Sequence, residues 1–257
     1  MKLNWYLLMI VFGFISCENP KETILKIKFT HSVSGINAVC GTGCTNGGEC
    51  LPDHSCCTGG KLLPYTNLAG DEYNIQTLKY LISNIELEKQ NGEKILLKDV
   101  HFVNIDDDAT LKFSYSDPLE NNTYTNISFT MGLDSLNNVN NNYVNEDFHS
   151  SMIWPVNMGG GYHYMKIEGD FDTITQGYAT HTGPAMGMDH SFDITMPVNL
   201  IVDDELGNIK ILINMEINNW YQNPHTLNLA SAIMMDMTKQ MQLQANGQEN
   251  VFSVSVR

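Results

Sequence analysis

Hydrophobic residues in this chain recur with a period of two along many short runs, and that spacing constrains the fold more than any other feature. In IKILINMEI, Ile209, Ile211, Ile213, Met215 and Ile217 alternate with Lys210, Asn214 and Glu216. Near the other end, Leu25, Ile27 and Phe29 alternate with Lys26 and Lys28, and His31 falls in phase with the apolar set. Successive side chains of a strand point to opposite faces, so such segments read as strands with one buried face. ILLKDVHFV, LKFSY, YTNISFTMGL, YHYMKIEGDF, FDITMPVNLIV and VFSVSV continue the series, separated by Asn, Asp and Gly. Asn91 and Gly92 supply a hairpin turn signal. Many short strands with intervening turns predict an all-β fold, a sandwich or a barrel, with one short helical segment near the C-terminus; the expected form is an antiparallel β-sandwich of immunoglobulin-like architecture.

Two segments depart from this pattern. Ile75 to Leu87 fits a helical stripe and a strand equally well. Ala230 to Leu243 predicts the helix, with Ile233, Met234, Met237 and Met241 expected to pack into the core. The Asn run from Asn137 to Asn142 reads as loop.

The opening MKLNWYLLMIVFGFISC has a cation at Lys2, an apolar run from Leu7 to Ile15 and a small residue, Ser16, directly before Cys17. This predicts a lipoprotein leader over residues 1–16, with Cys17 the lipid-bearing first mature residue; an ordinary export signal with an incidental cysteine is the alternative. Residues 17–22 read as a polar tether, and residues 23–257 as one sandwich domain with a Cys- and Gly-rich insertion at about 35–60. The expected location is the bacterial cell envelope, lipid-anchored at the outer membrane and facing the periplasm or the surface. Cys40, Cys44, Cys50, Cys56 and Cys57 all lie in that insertion. Oxidising conditions outside the cytoplasm favour disulfides there, and a thiolate metal loop is the other reading.

A formal net charge of −15 argues against nucleic acid, whose phosphates require clustered Lys and Arg. There is no GxSxG elbow, HExxH pair or GxxxxGK loop, so hydrolase, zinc-protease and nucleotide chemistry lack support and no catalytic role is expected. The eight His and fourteen Met are, by contrast, the imidazole and thioether donors that copper favours. Four histidines are candidate ligands: His31, His163 (in phase with Met165 and Ile167), and His101 and His181 at strand or strand-edge positions. Each has an ordinary alternative as a core imidazole bonded to a carbonyl or carboxylate. Trp154 and the glycines Gly159, Gly160 and Gly161 form either a tight loop with a core plug or part of a site. MGMDH, Met186 to His190, offers further soft donors or simple packing.

Several blocks resemble the MbnP-like family of copper-binding proteins associated with methanobactin systems. They are LKIKFTHSVSG, YTNLAGDEYNIQTLKYLISNIEL, DVHFVN, ISFTMGLDSLNN, MIW with GGGYHYMKIEGDF, and VFSV, together spanning about residues 24 to 256. The resemblance implies a β-sandwich in which LKYLISNIEL is a strand, and copper handling in the periplasm or at the surface. It also implies a tryptophan oxidised to kynurenine by a di-haem peroxidase-like partner, with Trp154 the matching position. Where family members read MFWTWNTGY, this chain has MIWPVNMGGGY. His31, His101 and His181 sit in blocks where the family often has histidine, whereas His163 replaces a more usual aromatic. The expected function is therefore an exported copper-binding lipoprotein, not itself an enzyme. The alternative is a non-metal surface lipoprotein that binds glycan or protein through its loops.

Overall fold

The computed structural model describes residues 23–38, 63–203, 207–230 and 233–257. The leader and tether, Cys17 and the five loop cysteines Cys40, Cys44, Cys50, Cys56 and Cys57 lie outside the described residues.

Two sheets carry the period-two segments. The first contains β1 (Leu25–Val33), β2 (Ile36–Asn37), β7 (Lys112–Ser114), β12 (Ile209–Glu216) and β13 (Phe252–Val256). Here β1 and β12 run parallel, from Leu25 opposite Ile209 to Ser32 opposite Glu216. Every other strand pairing is antiparallel. The second sheet holds β3 (Tyr65–Thr66), β4 (Glu72–Tyr73), β5 (Thr77–Lys89), β6 (Lys94–Asn104), β8 (Asn122–Met131), β9 (Met165–Phe171), β10 (Thr173–Thr182) and β11 (Phe192–Val202). One continuous core joins the inner faces, with Leu25, Ile27, Phe29, Ile211 and Ile213 from one sheet meeting Tyr80, Ile82, Ile127, Phe129 and Ile167 from the other. The result is an all-β sandwich.

The ambiguous segment resolves as β5, because it is the central strand of its sheet and burial on both faces removes the simple alternation. β6 pairs along one edge of β5. The other edge is shared: β9 pairs with Thr77 to Tyr80, and β8 with Ile82 to Lys89. Between them the chain at 132–164 leaves the sheet and crosses its outer face. There Leu133, Phe148, Met152, Tyr162 and Tyr164 bury the outward-facing Leu81 in a second cluster separate from the main core. This excursion, which includes the single helical turn α1 (His149–Met152), builds the site.

The C-terminal helix, α2, spans Met237–Glu249 and so starts and ends later than its spacing predicts. Its start is set by Asp236, whose side chain accepts from the Lys239 N–H and satisfies a free amide of the first turn. The face it buries is not the methionine stripe. Gln240, Leu243, Asn246 and Gly247 are inside, whereas Met241 is exposed. The buried amides make this possible, since Asn246 Nδ2 donates to the carbonyls of Trp220 and His225, and Gln240 Nε2 donates to the carbonyl of His181.

Candidate functional site

The four predicted histidines do not converge: the two faces of the second sheet separate them into pairs. His31 points into the interior, as its phase predicts, with Nε2 2.9 Å from the Tyr80 hydroxyl. His101 is also inside, stacked on Phe29 at 5.0 Å between ring centroids, with Nε2 donating to the Thr110 carbonyl at 2.8 Å. Burial holds His31 at a pKa of about 3 and His101 at about 4, so both are neutral core imidazoles. Among the described residues around them, nothing calls for a metal.

His163 and His181 lie on the opposite, outer face. Along β9, Met165, Ile167 and Phe171 enter the core, so Lys166 and Glu168 face outward. His181 is paired with Lys166 across β10 and β9, and therefore shares that outer face. His163 is not in phase with Met165 and Ile167, contrary to its sequence reading, because it precedes β9. Its backbone N–H donates to the Met152 carbonyl across the excursion, at 2.6 Å, which breaks the alternation one residue before the strand. The two imidazoles sit 5.0 Å apart between centroids and nearly perpendicular, at 86°.

Each ring is held by a partner that can only accept. The Nδ1–H of His163 donates to the Met152 carbonyl at 3.1 Å, which places the lone pair on Nε2. That Nε2 is buried and has no hydrogen-bond partner. Desolvation, assisted by the neighbouring His181, lowers the His163 pKa to about 4, so the ring is neutral at pH 7. The Nε2–H of His181 donates to Glu168 Oε1 at 2.6 Å, leaving Nδ1 with the lone pair in the neutral ring. That hydrogen bond pulls the Glu168 pKa down to about 2. Lys166 Nζ, 3.7 Å from the same oxygen, adds to the effect.

Trp154 packs against this pair. Its ring meets His163 edge-on at 4.7 Å, and its indole N–H donates to the Met158 carbonyl at 3.1 Å. The indole is fully buried, but with Met158 and Ala185 in a cluster apart from the main core, with Met234 against it. It is a wall of the histidine site and not a plug of the sandwich. A Cβ at Gly183 would stand 2.5 Å from the Trp154 ring. Gly183→Ala is therefore expected to displace the indole and cost about 1–3 kcal/mol by overpacking; a red-shifted tryptophan emission with a lowered urea midpoint is the check.

The Asn run supplies the frame. Asn138 Oδ1 accepts from the Tyr162 N–H at 2.6 Å and Asn140 Oδ1 from the Gly161 N–H at 2.7 Å. Gly160 and Gly161 have φ of +73° and +82°, and a Cβ on either would strike these amides. Positive φ and close approach thus both require glycine there. Sequence reasoning had no access to Glu168, Asn138, Asn140 or Gln240, whose partners are all distant along the chain. The three-glycine run was the only local signal. Among the described residues, no three of His, Cys, Asp and Glu gather closely enough to hold a metal together. Any ion here would be held by the two imidazoles with softer groups beside them.

Fold and site together define an all-β sandwich with a pair of imidazoles packed against a buried tryptophan on one outer face. The family model for MbnP matches residues 22–241, and the chain belongs to the MbnP family. The solved structure of MbnP from Methylosinus trichosporium is similar in fold, with a TM-score of 0.54 at 12% identity over 92% of this chain and 99% of that one. A search of curated proteins gave no match.

Proposed function

We propose that this protein is an exported, lipid-anchored copper-binding protein of a methanobactin-related system, and that His163 and His181 hold the ion. The observation that carries this reading is the orphaned Nε2 of His163: a buried lone pair, its tautomer fixed by the Met152 carbonyl, on a ring whose centroid lies 5.0 Å from that of a second imidazole. An unpaired buried acceptor costs about 1–3 kcal/mol. A bound soft cation removes that cost. Carboxylate-to-histidine hydrogen bonding of the Glu168–His181 kind orients ligating imidazoles and raises their basicity. Uncharged nitrogen and sulfur donors suit Cu(I) better than hard divalent ions. Bound copper would supply a one-electron redox couple or simply be cargo, and no catalytic acid or base is assigned to the chain.

Membrane attachment through Cys17 and oxidation of Trp154 by a di-haem peroxidase-like partner belong to the same proposal. Trp154 is fully covered, so such a partner would act on it from outside the cluster and not in direct contact. Glycan or protein capture by the Asn-rich loop draws less support, because Asn138 and Asn140 commit their side-chain oxygens to hydrogen bonds within the molecule.

The test is competitive titration of the protein with Cu(I) against a chromophoric chelator. Retention tighter than about 1 μM, roughly −8 kcal/mol, supports the reading, and none at that level defeats it. Glu168→Gln keeps the shape but weakens the acceptor on His181. Its expected effect is a 10–100-fold loss of affinity with the fold unchanged by circular dichroism.

A further inference from the structure

We infer that the methionines on the rim of the pocket form a second, weaker site for soft monovalent cations, through which Cu(I) reaches His163 and His181. The inference rests on the pocket reading above for its destination, but not for the rim itself. Every described methionine that is not buried lies in one of two segments: Met186 and Met188, or Met234, Met235, Met237 and Met241. Exposure reaches 62% at Met186, 46% at Met188, 74% at Met235 and 47% at Met241. The remaining described methionines are buried.

The two segments are neighbours. α2 packs against the turn Ala185–Gly187, and Gln240 joins them by bonding both the His181 carbonyl and the Gly183 N–H. Ala185 and Met234 both belong to the Trp154 and Met158 cluster. The surface methionines therefore flank residues that already touch the pocket wall, and Met234 to Met235 runs from that wall to solvent. Met186 is held at φ +53°, a conformation that non-glycine residues rarely adopt.

Single exposed apolar side chains are ordinary. Confinement of every solvent-reaching thioether among the described residues to two neighbouring segments is not, since a lysine or glutamate would be better hydrated there. Thioethers are neutral, polarisable donors that bind Cu(I) and Ag(I) and ignore Mg²⁺ and Ca²⁺. Without charge they hold such an ion weakly, which suits handover to two imidazoles.

The experiment uses the protein labelled with ¹³C at its methionine methyls and titrated with Ag(I), a diamagnetic soft cation. Shifts at Met186, Met188, Met235 and Met241, persisting in the variant His163→Ala with His181→Ala, are expected. A second arm replaces those four methionines with leucine, which keeps the apolar volume and removes sulfur. Cu(I) affinity at the pocket should stay within about threefold, while the rate of loading from a Cu(I) chelate should fall on the order of tenfold, as loss of a local reservoir predicts. Rim methyls that ignore Ag(I), or a four-leucine variant that loads at the wild-type rate, overturn the inference. If the pocket retains no Cu(I) while the rim methyls still respond, the pocket reading fails and the soft-ion rim stands.

Discussion

Replacing His163 with alanine is expected to reduce Cu(I) affinity by more than the roughly 10–100-fold that loss of a supporting hydrogen bond costs. The change deletes the one buried nitrogen that is without a partner between Trp154 and His181, and leaves the sandwich core untouched. His163 lies on the excursion at 132–164, outside β9, so no ladder bond is lost. His101→Phe is the informative contrast. It alters an imidazole stacked on Phe29 and packed at a tilt against Phe113 on the inner face, and Cu(I) affinity should remain within about threefold because no ligand position changes. Chelator competition on both variants decides the matter. Equal losses in the two would mean that the inner and outer pairs act together, against the geometry.

Acid should begin to destabilise this protein well above the pH at which most carboxylates protonate. His31 and His101 titrate near 6.5 in the unfolded chain but at about 3 and about 4 when buried. Between those values only the unfolded state takes up the protons, so stability is fully present above about pH 6.5 and is lost as pH falls. By about pH 4.5 the two groups together remove about 5 kcal/mol, at 1.36 kcal/mol per unit for each. That is comparable with the whole stability of many domains, about 5–15 kcal/mol. Urea denaturation at stepped pH should show the free energy of unfolding falling steadily below about pH 6.5. His101→Phe should remove about one proton from that slope; an unchanged slope would mean that His101 is protonated in the folded state.

Much of the architecture was legible because strand alternation is a local property. The burial of Leu25, Ile27, Phe29 and His31, and of Ile209 to Met215, follows the period of two read from the chain. Alternation failed where a strand is covered on both faces, as in β5, and where burial is polar, as in α2 with Gln240 and Asn246 inside. The parallel pairing of β1 with β12 had no local signal at all, since direction depends on a connection nearly the length of the chain.

The candidate site divides along the same line. His31, His101 and His181 lie within strands, as their spacing predicts, whereas His163 precedes the strand it was expected to share with Met165 and Ile167. Sidedness separated them. The strand period could assign His31 to the interior, but His163 stands one step outside β9, where a bond to Met152 turns it to the other face.

What the chain's own pattern specified is the set of strands, their buried faces and the residue types available to bind a soft ion, because each follows from neighbours two positions apart. Which histidines meet, and that they meet beneath Trp154 on an outer face and not within the sandwich, came from contacts between residues far apart in sequence. Side-chain direction repeats along a strand and can be read from it; proximity across a fold is a sum of packing choices that no short segment contains.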